Sequence, residues 1–310
     1  MKKLNFFSMM AFLILLGCSK SDDSTGNIGK NQLKSAQSAI SRDKQERQIL
    51  FVSKMDGTDD EIYAMNDDGS NVVRLTDNDV PDGRATWSAN GQHIAFASGL
   101  AGSRDIYVMN ANGKGLINLT NSSADEDWPE WSPSGNKIIF SSNRDGNHEI
   151  YSIDLDGTNL TRLTNRVQDD KWPSYSPDGS KIVFQSELGG TRRTEIFVMN
   201  ADGSEISQLT DRDGLDQMPT WSPYGSEIAF MRALGTNPEI FKMNADGSGQ
   251  INISNSPGMD ARPSWSRNGD YIVFTSARNG NQEIYIMNGN GSNPMRLTTN
   301  TVIDDYPFVK

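Results

Sequence analysis

The sequence predicts an all-β fold, six four-stranded antiparallel blades closed into a β-propeller, and three recurring markers predict it. A Glu/Asp-Ile-Tyr/Phe triplet begins at Glu61, Asp105, Glu149, Glu195, Glu239 and Glu283, about every 44 residues. A Leu-Thr pair follows each triplet: Leu75-Thr76, Leu119-Thr120, Leu163-Thr164, Leu209-Thr210, the variant Ile253-Ser254, and Leu297-Thr298. An aromatic-Ser pair comes next, at Trp87, Trp131, Tyr175, Trp221 and Trp265. Three markers in one register define a structural repeat.

Each period reads as four strands. In the third, Pro129-Glu130-Trp131-Ser132 is strand A, and Pro133-Ser134-Gly135-Asn136 makes the turn. Lys137-Ile138-Ile139-Phe140-Ser141 is strand B, rich in β-branched and aromatic residues. A loop through Arg144-Asp145-Gly146 leads to strand C, Glu149-Ile150-Tyr151-Ser152-Ile153. Asp154-Leu155-Asp156-Gly157 then turns into strand D, which ends at Leu163-Thr164. Asn, Asp and Gly stand where tight turns need positive φ, which sets hairpin register.

Four antiparallel strands per period make a propeller blade. The array, residues 48–310, opens at Gln48-Ile49-Leu50-Phe51-Val52, a strand B with no A before it. It closes at Tyr306-Pro307-Phe308-Val309, a strand A with no B after it. Pairing the C-terminal strand with the first blade completes one blade and shuts the ring. The repeated Trp87, Trp131, Tyr175, Trp221 and Trp265 are assigned to the core between blades.

The repeat Trp172-Pro173-Ser174-Tyr175-Ser176-Pro177-Asp178-Gly179-Ser180-Lys181-Ile182-Val183-Phe184, followed by Glu195-Ile196-Phe197-Val198-Met199-Asn200-Ala201-Asp202-Gly203, resembles the TolB-type propeller repeat. The resemblance covers roughly residues 48 to 310 and implies the six-bladed fold. TolB carries an additional α/β domain, for which this chain has no room, so the resemblance covers the propeller alone and leaves any link to the Tol system open.

Residues 1–18 read as a lipoprotein signal peptide. Lys2 and Lys3 form a basic start, and the apolar stretch from Leu4 to Leu16 is too short to span a bilayer as a helix. Leu15-Leu16-Gly17-Cys18 resembles the lipobox, which implies lipidation of Cys18. Cys18 is the single cysteine, so no intrachain disulfide framework exists. Residues 19–47 are polar and lack Trp, Tyr and Phe; they read as a flexible tether. Its Ser19-Lys20-Ser21-Asp22-Asp23-Ser24 stretch resembles the surface-export tag of some lipoproteins. The expected location is the cell envelope, lipid-anchored in the outer membrane and facing either the periplasm or the cell surface.

A formal charge of −11 repels phosphate backbones, so nucleic acid is not an expected partner. HExxH and GxSxG are absent from the sequence, and the two histidines, His93 and His148, fall at different blade positions. Asp154-Leu155-Asp156-Gly157-Thr158-Asn159 looks like the start of a calcium loop but lacks the spaced ligands and terminal Glu. No cofactor is expected, although a cation in the channel stays open.

Candidate binding residues come from what the blades bring to one place. The loops from strand D to strand A place one carboxylate per blade, at Asp82, Glu126, Asp170, Asp216, Asp260 and Asp304, near the expected channel mouth. These would either attract a cation or basic partner, or accept backbone N–H bonds and pair with Arg144, Arg232 or Arg278. Two residues further on, the blades differ: Arg84, Trp128, Trp172, Met218, Arg262 and Tyr306. Trp128, Trp172 and Tyr306 offer stacking faces for a sugar or an inserted side chain, or pack between blades. The expected function is non-catalytic: a monomeric, membrane-anchored envelope scaffold that binds a protein or ligand. The alternative is a polysaccharide-active propeller, either a glycan-binding module or a lyase.

Overall fold

The computed structural model describes residues 48–189, 193–212 and 214–310. The signal peptide, Cys18 and the tether lie outside the described residues. The described chain forms six antiparallel sheets of four strands each. Blade 1 takes its B, C and D strands from Gln48–Ser53, Glu61–Asn66 and Val73–Arg74, and its A strand from Asp304–Val309. Blades 2 to 6 are continuous in sequence. Their A strands are Asp82–Trp87, Glu126–Trp131, Asp170–Tyr175, Leu215–Trp221 and Asp260–Trp265.

Ring closure is the pairing of Ile49 with Val309 and Leu50 with Phe308, then of Val52 with Asp305 and Ser53 with Asp304. The A strands neighbour one another around the ring and line its axis.

Apolar residues pack between adjacent blades. Trp87 joins Ile94, Phe96 and Met109 of its own blade to Leu50, Ile62 and Ala64 of blade 1. Trp131, Tyr175, Trp221 and Trp265 hold the equivalent place at the next four joints. Tyr271, Val273 and Ile284 meet Ile49, Phe51 and Tyr63 at the last one. Burying one such indole contributes up to about 4–6 kcal/mol by area.

The Leu-Thr marker has a polar reason. Thr76, Thr120, Thr164, Thr210, Ser254 and Thr298 each accept the N–H of the Ile in the neighbouring triplet, at 2.9–3.0 Å. Thr120, Thr164, Thr210, Ser254 and Thr298 also donate to the triplet's own carboxylate. Two sequence markers are thus two halves of one clasp. Between blades, Gly203 (φ 87°) lies so close to strand D of blade 3 that a Cβ would stand 2.4 Å from the Leu163 carbonyl oxygen. Only glycine fits there.

Candidate binding site at the channel mouth

Every A strand carries a bulge near its start. In blade 2, Gly83 pairs with Ala97 and Thr86 with Ala95, so strand A uses one residue more than its partner. The same shift separates Asp127 from Glu130, Lys171 from Ser174, Gln217 from Thr220 and Ala261 from Ser264. The residue in the bulge is left-handed in all six blades: Arg84 (φ 54°), Trp128 (53°), Trp172 (57°), Met218 (56°), Arg262 (55°) and Tyr306 (52°). Holding a side-chain-bearing residue there costs about 1–2 kcal/mol. Pro129, Pro173, Pro219, Pro263 and Pro307 follow directly, where a bulge tolerates a residue without an N–H.

Five of these bulge residues line one cavity on the axis, all but Met218. Trp128 stacks on Trp172 with centroids 5.2 Å apart, and Trp172 stacks on Tyr306 at 6.0 Å. Arg84 lies over both Trp128 (5.5 Å) and Tyr306 (5.0 Å), and Arg262 lies over Tyr306 at 4.3 Å. His148 meets the edge of Trp128 at 6.1 Å. The structure therefore brings Trp128, Trp172 and Tyr306 together as one stack, flanked by two guanidinium groups.

Two buried aspartates position this stack. Asp127 Oδ1 accepts the Trp128 N–H at 3.0 Å and lies 2.8 Å from Arg84 Nε, while its Oδ2 is 3.1 Å from Arg104 Nη1. Burial pushes the Asp127 carboxyl up to about 6, against the pull of Arg84 and Arg104. Asp305 repeats the arrangement. It accepts the Tyr306 N–H at 2.8 Å and the Thr275 hydroxyl at 2.7 Å, and it pairs with Arg262 at 3.0 Å. Sequence reasoning missed both. The available signal was that Gly83, Lys171, Gln217 and Ala261 occupy the equivalent places in the other blades.

Beneath the stack the cavity has a volume of about 70 Å³. Glu130 lines it where the other blades place Thr86, Ser174, Thr220, Ser264 and Phe308. Glu130 accepts the Tyr175 N–H at 2.8 Å, and burial pushes its carboxyl up to about 8.

The six repeated carboxylates are placed differently from an open acidic mouth. Asp82, Glu126, Asp170, Asp216, Asp260 and Asp304 are at most 2% exposed. Arg232 grips Asp216 with two bonds, at 2.7 and 2.6 Å, and Arg278 bonds Asp260 at 2.8 Å. Arg144 bonds Glu126, while Asn78 and Asn300 donate to Asp82 and Asp304 at 2.6 Å. Asp170 pairs with Arg166 at 4.0 Å. Burial raises Asp82 to about 6 and Asp170 to about 7. The outer carboxylates Glu61, Glu149 and Glu283 are held by Arg74, Arg162 and Arg296. These acids join strands; the surface at the axis belongs to the bulge residues.

The turn at Asp154–Asn159 is an ordinary capped turn, with Asp156 accepting the Thr158 N–H at 3.0 Å. Among the described residues, no group of three or more His, Cys, Asp or Glu side chains is arranged to hold a metal ion.

The family model of the TolB beta propeller domain matches residues 118–233 and 210–309. No curated protein matches the chain. TolB from Acinetobacter baumannii is 22% identical, with 92% of this chain and 71% of that one covered and a TM-score of 0.71. A putative TolB from Agrobacterium tumefaciens is 20% identical, with 82% and 88% covered and a TM-score of 0.68. An oligogalacturonate lyase from Vibrio parahaemolyticus is 14% identical, with 82% and 73% covered and a TM-score of 0.55. At these identities the structural likenesses speak for the fold. With the family model matching more than half its length in the same six-bladed frame, the chain belongs to the TolB beta propeller domain family.

Proposed function

We propose that this chain is a non-catalytic binding protein of the cell envelope, anchored by lipid at Cys18, that presents its channel mouth to a protein partner. One observation carries the reading. In a sixfold frame where most positions repeat, the six left-handed bulge positions hold four different residue types, and three of the six residues build one aromatic stack. A position that only served the fold would repeat like Thr164 or Trp131. Aromatic and arginine side chains are also the residues that most often anchor binding interfaces. The lipobox and polar tether support a location at the outer membrane, on its periplasmic or outer side.

Affinity capture from native envelopes tests this. Wild type should retain a partner that Trp172→Ala and Tyr306→Ala lose while remaining folded. Equal retention by all three proteins would move recognition away from the mouth. Fractionation of Cys18→Ala tests the anchor, since that protein should leave the membrane fraction. A glycan partner is the second reading, favoured by the Trp128–Trp172 stack; binding of neutral oligosaccharides lost in Trp172→Ala would support it.

A further inference from the structure

We propose that the groove between blades 4 and 5, on the face opposite the channel mouth, binds a neutral saccharide stacked on Tyr224. It is a second site, and it does not depend on how the mouth is used.

Tyr224 departs from the repeat. Strand A of blade 5 runs from the mouth to the turn that holds this residue, and blades 2, 3, 4 and 6 carry Asn90, Ser134, Asp178 and Asn268 in its place. Asn90, Asp178 and Asn268 each cap their turn by accepting the N–H two residues on, at 3.0–3.3 Å. A tyrosine has no acceptor in reach of that N–H, so blade 5 gives up the cap and carries a ring instead. The ring is 76% exposed, yet it is held in place. Its hydroxyl donates to the Asn268 carbonyl of blade 6 at 3.0 Å. Gly269 lies against it, where a Cβ would stand 3.1 Å from Tyr224 Cε2. An aromatic surface already fixed, and open to solvent, loses little freedom when a ligand stacks on it.

Size and hydrogen bonding define the ligand. The groove that Tyr224 borders has a volume of about 710 Å³, in the range of small-molecule sites. Its polar lining offers both kinds of group. Asp246 bonds Ser248 through Oδ1 alone, and Gln208 spends its Nε2 on the Thr210 carbonyl, so Asp246 Oδ2 and Gln208 Oε1 remain as acceptors. Lys181 Nζ makes one bond, to Asn200 at 3.3 Å, and keeps donors to spare. Asp178 and Asp246 outnumber Lys181 in charge, which disfavours an anion. A sugar hydroxyl both donates and accepts, and the C–H face of a pyranose is apolar. A neutral saccharide therefore matches the acceptors, the donors and the ring at once.

The test titrates the full chain with cellohexaose, mannohexaose and chitohexaose as neutral probes, and with hexagalacturonate as the anionic one, by calorimetry. At least one neutral probe should bind, and hexagalacturonate should not. Tyr224→Ala should weaken binding by about tenfold. Tyr224→Phe keeps the ring and loses only its anchor to Asn268, so it should weaken binding less. Gln208→Ala, which leaves Tyr224 untouched, should also lower affinity; melting temperatures check that each variant is folded. No binding of any neutral probe, equal affinity for hexagalacturonate, or wild-type affinity in both Tyr224→Ala and Gln208→Ala would each overturn the proposal. Binding lost in Trp172→Ala but kept in Tyr224→Ala would place the sugar at the mouth, which overturns this inference and leaves the reading of the mouth standing.

Discussion

Trp172 and Tyr306 come from A strands three blades apart and stack across the axis of the ring, 6.0 Å between centroids and 19° between planes. Opposite walls of the channel therefore touch. The contact exists because both residues are left-handed, with φ of 57° and 52°, which turns each side chain off the normal course of its strand.

That backbone strain predicts an inverted mutational order at Trp172. Alanine and glycine remove the same ring, but only glycine relieves the left-handed conformation. Trp172→Gly should be more stable than Trp172→Ala by about 1 kcal/mol. Denaturant unfolding of the two proteins measures it. Alanine equal to or better than glycine would show that the bulge is unstrained or relaxes on truncation.

Stability should fall as pH rises from about 5 to 8. Burial raises Asp170 to about 7 and Asp82 to about 6, so the native state keeps protons that the unfolded chain has released. Such a group stabilises fully below its unfolded value, near 4, and the contribution is lost as pH climbs through the native value. For Asp170 the loss is on the order of 2–4 kcal/mol. Melting temperatures at pH 5 and pH 8 should differ in wild type and differ less in Asp170→Asn, where Asp82 still contributes. A flat wild-type profile would mean that solvent or a shared proton compensates this carboxyl.

The repeat made the fold legible. The spacing of Glu149-Ile150-Tyr151 and Leu163-Thr164 encodes a hydrogen-bonded clasp, and Trp131 encodes the joint beside it. Ring closure was equally readable, because Gln48–Ser53 and Asp304–Val309 are complementary fragments of one blade. The mouth was readable only in part. In a regular strand, positions two apart share a face, which puts Asp170 and Trp172 together on the channel. The bulge breaks that alternation, leaving Asp170 in the protein interior and Trp172 on the axis. Nothing local in Lys171-Trp172-Pro173 announces a positive φ, since neither glycine nor asparagine occupies the position.

Arg232 and Asp216 form a two-bond pair in which both side chains are at most 4% exposed. Breaking one partner should cost about 3–5 kcal/mol, because the other charge stays buried and unpaired. Arg232→Met should be severely destabilised, and Asp216→Leu added to it should recover much of the loss. Unfolding free energies of the four proteins in the cycle decide this. Additive losses would show that the two charges act independently.

Thr164→Val separates the clasp from its packing. Valine keeps the shape of threonine but leaves two buried groups without their bond: the Ile150 N–H, now held at 2.9 Å, and Glu149 Oε2, now served at 2.5 Å. Each unmade bond costs about 1–3 kcal/mol, so the variant should lose about 2–4 kcal/mol. Thr164→Ser keeps both bonds and gives up one methyl group, so its loss should stay near 1 kcal/mol or about that. Ser254 already fills this place in blade 5, donating to Glu239 at 2.5 Å. If valine and serine prove equally stable, the Leu-Thr marker recurs for its packing and the hydrogen-bonded clasp adds nothing. A gap of more than about 1 kcal/mol in favour of serine assigns the recurrence to the hydroxyl.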